Sequence, residues 1–205
     1  MKHLPFDLVD LSAGVVETLD DTYKLLSEKF DIGTAPEIDL DLKNFDLLNT
    51  TDKVSIGGLL SLNGTGSFYL AFIKTKYSYY SIKSTTRTDY HNYQVWAVIN
   101  SNKDFGRSFI RHESFADRLV GLMHPCELNF KDDKTFDHKF YVVCNDEQKA
   151  LTAMNWNFRN AVMDMPDDIM LETAAKQIVI GNNMNLDPHK TLQLTEFASK
   201  IAALR

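Results

Sequence analysis

Three groups of residues in this 205-residue chain carry side chains that could do chemistry. His112 and Glu113, followed by His124 and Cys126, supply imidazole, carboxylate and thiolate, all of them donors that zinc accepts. Their spacing matches no closed zinc motif and the chain contains no His-Glu-x-x-His, so these residues read as scattered surface polarity. Asp132, Asp133, Asp137 and His138 form an acidic cluster. Paired carboxylates can do general acid–base work or hold a divalent cation. Asp132 and Asp133 between Lys131 and Lys134 also spell a solvated turn, and EF-hand spacing is absent, so the turn is the preferred reading. A metal-dependent hydrolase built on His112, Glu113 and His124, or on the cluster from Asp132 to His138, is the alternative to the main reading.

The third group lies between Lys74 and Tyr93. Tyr77, Tyr79, Tyr80, Tyr90 and Tyr93 interleave with Lys74, Lys76, Lys83, Arg87 and His91. Aromatic faces beside cations can stack bases or sugars and hold phosphates. Tyrosine is also favoured on half-buried strands, so a plain hairpin explains the same composition. The binding residues expected from this stretch are Tyr77, Tyr79, Tyr80, Lys83, Arg87, Tyr90 and Tyr93. No catalytic residue, metal ligand or cofactor is assigned. There is no Gly-x-Ser-x-Gly elbow, and Gly57 and Gly58 lead into a strand where a phosphate loop would open a helix.

Charge narrows the partners. The net charge is −6, and residues 1–52 hold 12 Asp/Glu against 4 Lys/Arg, which puts that stretch at −8 and the remainder at +2. Nucleic-acid binding needs a basic field to displace counterions, and this chain lacks one. The expected partner is a protein, a second copy of the chain included, with a glycan or polyanion as the second alternative. Cys126 and Cys144 both sit in apolar runs without a Cys-x-x-Cys, which reads as two buried free thiols in a reducing cytoplasm. The first residues lack a signal-peptide core, and no apolar run is long enough to span a bilayer. At 44% hydrophobic and 24% charged, the composition is that of a globular chain. Folding at this length buries roughly 70% of the unfolded surface without metal or disulfide staples.

The elements that position these residues follow from periodicity. From Phe6 to Phe30, apolar residues at Leu8, Leu11, Val15, Leu19, Tyr23 and Leu26 keep the helical period, with Asp7 as the expected cap. The helix is expected to dock on its own sheet, with a partner helix as the sharper reading. Residues 38–42 alternate with period two, as a short strand or an irregular acidic crossing. A hairpin follows: Val54 to Leu62, a turn at 63–66, then Phe68 to Tyr80, with Gly57 and Gly58 marking a bulge. Tyr93 to Ile99 is a strand after a polar break at 81–92, with Gln94, Trp96 and Val98 on one face and Val95, Ala97 and Ile99 on the other. Phe109 and Ile110 seed a short strand, Ser114 to Leu122 a short helix, and Glu127 to Phe130 a strand. The run from Phe136 to Ala150 reads as a strand ending at a cap, Asn145 or Asp146, and turning into a helix that continues to about Met163 with Leu151, Met154, Phe158, Val162 and Met165 buried. Two strands, Ile169 to Leu171 and Gln177 to Ile180, precede a last helix capped by Asp187 with Pro188 at its first position.

The order of these signals from Val54 onward resembles an uncharacterised family of bacterial domains of unknown function. The resemblance rests on Gly57 and Gly58 in an early strand, the aromatic strand from Tyr77 to Tyr80, and Phe136 and Phe140 ahead of Asn145, Asp146 and Glu147. Members of that family often carry membrane helices ahead of this domain, where this chain has an acidic amphipathic helix. The resemblance implies a fold and no catalytic motif. The chain as a whole reads as α+β, with a mainly antiparallel or mixed sheet flanked by helices. Residues 1–52 supply the N-terminal helix and a crossing segment, and 53–205 the main domain. Its function reads as a non-enzymatic interaction or regulatory module that presents the aromatic hairpin or the first helix to a protein partner.

Overall fold

The computed structural model of the chain describes residues 4–34, 44–48, 54–64, 66–80, 87–113 and 126–204, with the backbone alone at Thr34, Val54, 77–80 and 87–90. Among the described residues, nine strands form one sheet. They are β1 (Asp31–Thr34), β2 (Val54–Asn63), β3 (Phe68–Tyr80), β4 (Arg87–Asn100), β5 (Arg107–His112), β6 (Cys126–Glu127), β7 (Phe140–Cys144), β8 (Met170–Ala174) and β9 (Gln177–Gly181). Their spatial order is β1-β2-β3-β4-β9-β8-β5-β7-β6, and each neighbouring pair is antiparallel. The α-helices of the described residues are α1 (Ala13–Lys29), α2 (Lys134–Lys139), α3 (Glu147–Ala153), α4 (Trp156–Val162) and α5 (Pro188–Ala202). The expected α+β architecture is therefore what the chain adopts.

The central strands are apolar on both sides. Along β4, Tyr93, Val95, Ala97 and Ile99 enter one core while Trp96 and Val98 enter another. The first core is roofed by helices: Leu19 and Leu26 of α1, Ala150 and Ala153 of α3, Phe158 and Val162 of α4, and Leu194, Phe197 and Ile201 of α5. The second is covered by the short 3-10 turn Asp46–Leu48 and its neighbour Phe45, packed on Ala71, Ile73, Trp96, Val98, Phe109, Val143 and Val179. The N-terminal stretch is built into the same body as the rest, since β1 pairs with β2 and Leu19 and Leu26 share a core with the sheet.

Each helix starts on a polar side chain that accepts from an otherwise unpaired N–H, which satisfies one of the orphan donors of the first turn. Ser12 caps α1, Asp133 α2, Asp146 α3, Asn155 α4 and Asp187 α5. Asp146 and Asp187 are among the expected caps, but the start of α1 corrects the expectation of Asp7. Asp10 lies at φ 60, off the helical path, and the Asp7 carboxylate is engaged by Lys74 and the Val9 N–H. A second correction concerns Phe136: it opens no strand but sits in α2, fully buried between Phe130 and Phe140. Phe136 and Phe140 are four apart, which suits a helical turn as well as a strand. A third is the helix expected to run to Met163. It breaks at Met154, where Asn155 starts α4, and Leu151 falls on the outside at 40% exposure. β4 begins at Arg87, earlier than expected, and β6 spans only two residues. The strand expected at 38–42 and the helix expected at 114–122 lie outside the described residues.

The bulge at Gly57 is real: the register against β3 shifts between Ile56 and Gly58. Both glycines permit close approach. A Cβ at Gly57 would fall on the phenol of Tyr93, and one at Gly58 on the ring of Phe6. Gly57→Ala is expected to lower stability in urea denaturation by about 1–3 kcal/mol, the usual cost of overpacking. Gly14→Ala in α1, where a Cβ meets nothing within 4 Å, is expected to raise it by up to about 1 kcal/mol.

Candidate functional site

The long hairpin β3–β4 outruns its neighbours. Its register runs from Tyr69 opposite Val98 to Tyr80 opposite Arg87. On one side β2 pairs with β3 only as far as Val54 opposite Thr75; on the other β9 pairs with β4 only from Trp96 to Asn100. Among the described residues, Lys76 to Tyr80 and Arg87 to His91 therefore pair only with each other as strands, and a two-stranded ribbon extends from the sheet.

The root of this ribbon is held from two directions. On the first side is the N-terminal leg. Tyr93, fully buried, donates its hydroxyl to the Asp7 carbonyl at 2.6 Å, and the largely buried Lys74 donates to the Asp7 carboxylate at 2.9 Å and to the Val9 carbonyl. The Asp7 N–H donates to the Gly57 carbonyl at 2.6 Å, and Phe6 packs on Phe72 and Tyr23. Hydrogen bonds from Lys74 and from the Val9 N–H hold the Asp7 carboxyl below the ordinary carboxylate range. Burial, with the Asp7 charge beside it, pushes the Tyr93 phenol well above its ordinary value. On the second side, the Leu186 N–H donates to the Tyr93 carbonyl at 2.7 Å and the Gln94 amide donates to the Asn183 carbonyl at 3.0 Å.

Tyr93 thus leaves the expected binding set. Its ring is core, because it faces α1 and the N-terminal leg, and its polar tip is spent on the backbone. The backbone of Tyr77, Tyr79, Tyr80, Arg87 and Tyr90 lies in the ribbon, with Tyr77 opposite Tyr90 and Tyr80 opposite Arg87; their side chains, and Lys83 altogether, lie outside the described residues. The apolar stripe of α1, the other surface expected to meet a partner, packs against its own core, and Lys29 pairs with Glu196 of α5 at 2.9 Å.

The residues considered for metal chemistry are dispersed. His112 is buried against Phe140, with Nε2 3.0 Å from the Met165 carbonyl and Nδ1 3.6 Å from Asp167. Glu113 is exposed, Cys126 is exposed on β6, and His124 lies outside the described residues. The acidic cluster is a structural clamp. Arg159, 5% exposed, donates to Asp132 at 2.6 Å, to Asp133 at 3.1 Å and to the Met154 carbonyl at 3.1 Å, and stacks over Phe130. Asp133 also caps α2, and Asp137 accepts from the Phe130 N–H. Among the described residues, no three His, Cys, Asp or Glu side chains converge as a metal site would require.

One charged group had no signal in the sequence. Glu172, in the middle of β8, is fully buried; its two carboxylate oxygens accept the N–H groups of Asp46 and Leu47 at 3.0 and 2.9 Å, and Arg107 approaches at 3.3 Å. Arg107 also pairs with Asp46 at 2.8 Å. Burial outweighs these contacts and raises the Glu172 carboxyl above its ordinary value of 4.5. Its partners lie 125 and 126 positions away in the chain, so no local pattern announces them.

No protein-family model matches the chain. No curated protein matches it either. A solved structure does: the crystal structure of the mycobacterial trehalose monomycolate transport factor A aligns over 93% of this chain and 94% of its own, with a TM-score of 0.56 and 10% sequence identity. At that identity the likeness shows a shared fold.

Two outcomes follow from these clamps. Arg159→Met is expected to destabilise the protein by about 2–3 kcal/mol in denaturant titrations, the scale of lost charged hydrogen bonds, and to leave any metal content unchanged. For Glu172 the folded carboxyl binds its proton more tightly than the unfolded one. Its contribution is therefore favourable below 4.5 and declines as pH rises from there through the folded value. The stability difference between wild type and Glu172→Gln, followed by urea midpoints across pH, is expected to drift against wild type over that window; a flat difference would contradict the assignment.

Proposed function

We propose that this protein is a non-enzymatic interaction module that engages a protein partner through the outer half of the β3–β4 hairpin. The observation that carries this reading is the projecting ribbon on a fixed root. Beyond Tyr93, whose carbonyl is taken by Leu186, the edge of β4 toward Arg87 meets no further strand among the described residues. Unpaired strand edges are templates for an incoming strand, with backbone hydrogen bonds giving affinity and alternate side chains giving selectivity. The ribbon is also where the chain concentrates tyrosines beside Lys76 and Arg87, and aromatic residues and arginine are enriched where proteins meet. The buried arginine and its aspartates, by contrast, are spent on holding the fold.

The test is site-specific photocrosslinking in the source cells. A crosslinking residue at Tyr79 or at Tyr90 is expected to trap the same discrete protein, while one at the exposed Asp21 of α1 traps none. Equal trapping at all three positions, or adducts only within the chain, would sink the proposal.

A further inference from the structure

The two cysteines lie 18 positions apart in sequence, yet the sheet sets them face to face. The register of β6 against β7 places Cys126 directly opposite Cys144, with Glu127 opposite Val143. The next step of the same ladder is the Leu128 N–H donating to the Val142 carbonyl at 2.9 Å. Leu128, Val142 and Cys144 all enter the helix-side core, so the alternation of the strand puts Cys126 on that same side. Directly opposed residues of an antiparallel pair have Cα atoms about 4.5–5.5 Å apart, which falls inside the span of roughly 4.4–6.8 Å that a disulfide bridges. Cys126 is exposed and Cys144 fully buried. One thiol is open to an oxidant, and the other is shielded from everything except its neighbour.

We propose that Cys126 and Cys144 form a redox pair that closes to an intrachain disulfide between β6 and β7 by exchange with a disulfide oxidant. The Cys126 thiolate attacks one sulfur of the oxidant, forms a mixed disulfide and expels a thiolate. Cys144 then attacks the Cys126 sulfur, forms the intrachain bond and expels the second thiolate. The two protons lost by the cysteines go to the two leaving thiolates, so one disulfide is reduced to two thiols as one is formed. The order follows from access. Burial, and then the negative charge of Cys126, pushes the Cys144 thiol up to about 11. The product fastens a two-residue edge strand to β7, the strand that feeds the Asp146 cap of α3. This inference rests on residues separate from the hairpin and does not depend on the function proposed above.

The full chain, reduced and then incubated with oxidised glutathione, tests it. Peptide mapping without reductant is expected to show Cys126 joined to Cys144, with loss of both free thiols and a thermal midpoint raised by several degrees that dithiothreitol returns to its starting value. Cys144→Ala is expected to stop at glutathione on Cys126, and Cys126→Ser to leave Cys144 unmodified in the folded protein. Wild type that accumulates glutathione on Cys126 while Cys144 remains a free thiol, or that joins Cys126 to Cys126 of a second copy, would overturn the proposal.

Discussion

The central strands must hide two apolar faces at once. Alternation along β4 sends Tyr93, Val95, Ala97 and Ile99 to one side and Trp96 and Val98 to the other. A sheet that is apolar on both faces cannot leave either to water, because each large side chain left exposed forfeits roughly 1.5–3 kcal/mol of burial. The helices α1, α3, α4 and α5 meet the demand on one face. On the other, Phe45, Leu47 and Leu48 do so from a turn with little secondary structure of its own. That turn cannot secure itself through a helical or strand ladder, and this is where Glu172 enters. A carboxylate buried in the sheet is costly in isolation, but here it accepts the N–H groups of Asp46 and Leu47 at the start of the turn and faces Arg107. The apolar cover and its polar latch stand or fall together.

The same economy of polar groups runs through the molecule. Arg159 holds the turn before α2 against α4, Lys74 and Tyr93 hold the N-terminal leg against the hairpin, and His112 ties the end of β5 to the Met165 carbonyl. Buried charges and hydroxyls with full sets of partners fix one arrangement of elements against the alternatives. Each group so engaged is also withdrawn from chemistry with a ligand. The hairpin differs. Its root is fixed by these contacts while its outer strands run past both neighbours, so a fixed base supports a projecting two-stranded ribbon.

Much of the architecture is legible in the residues. The hairpin strands β2 and β3, the bulge at Gly57 and Gly58, a cap at Asn145 or Asp146 and the Asp187–Pro188 start all depend on near neighbours in sequence, and the structure has them there, with Asp146 as the cap. The misplacements share a cause. Asp7 has the chemistry of a cap but is drawn to Lys74, 67 positions away. Phe136 fits a helix or a strand equally well, and packing against Phe130 decides for the helix. Tyr93 has the composition of a surface aromatic, yet the N-terminal leg closes over it. Asp132 and Asp133 lie at the expected turn, but nothing near them in sequence signals Arg159, which holds both carboxylates.

The sequence by itself determined the α+β class, most of the element types and the two-sided apolar pattern of the sheet's centre, because backbone preference and side-chain alternation act over a few residues. Only the tertiary structure decided which elements became neighbours: Glu172 beneath the 46–48 turn, Cys126 opposite Cys144, Phe6 over Gly58. Those juxtapositions depend on the strand order β1-β2-β3-β4-β9-β8-β5-β7-β6. That order is set by covering both faces simultaneously, a condition that involves the whole chain and that no short window of residues contains.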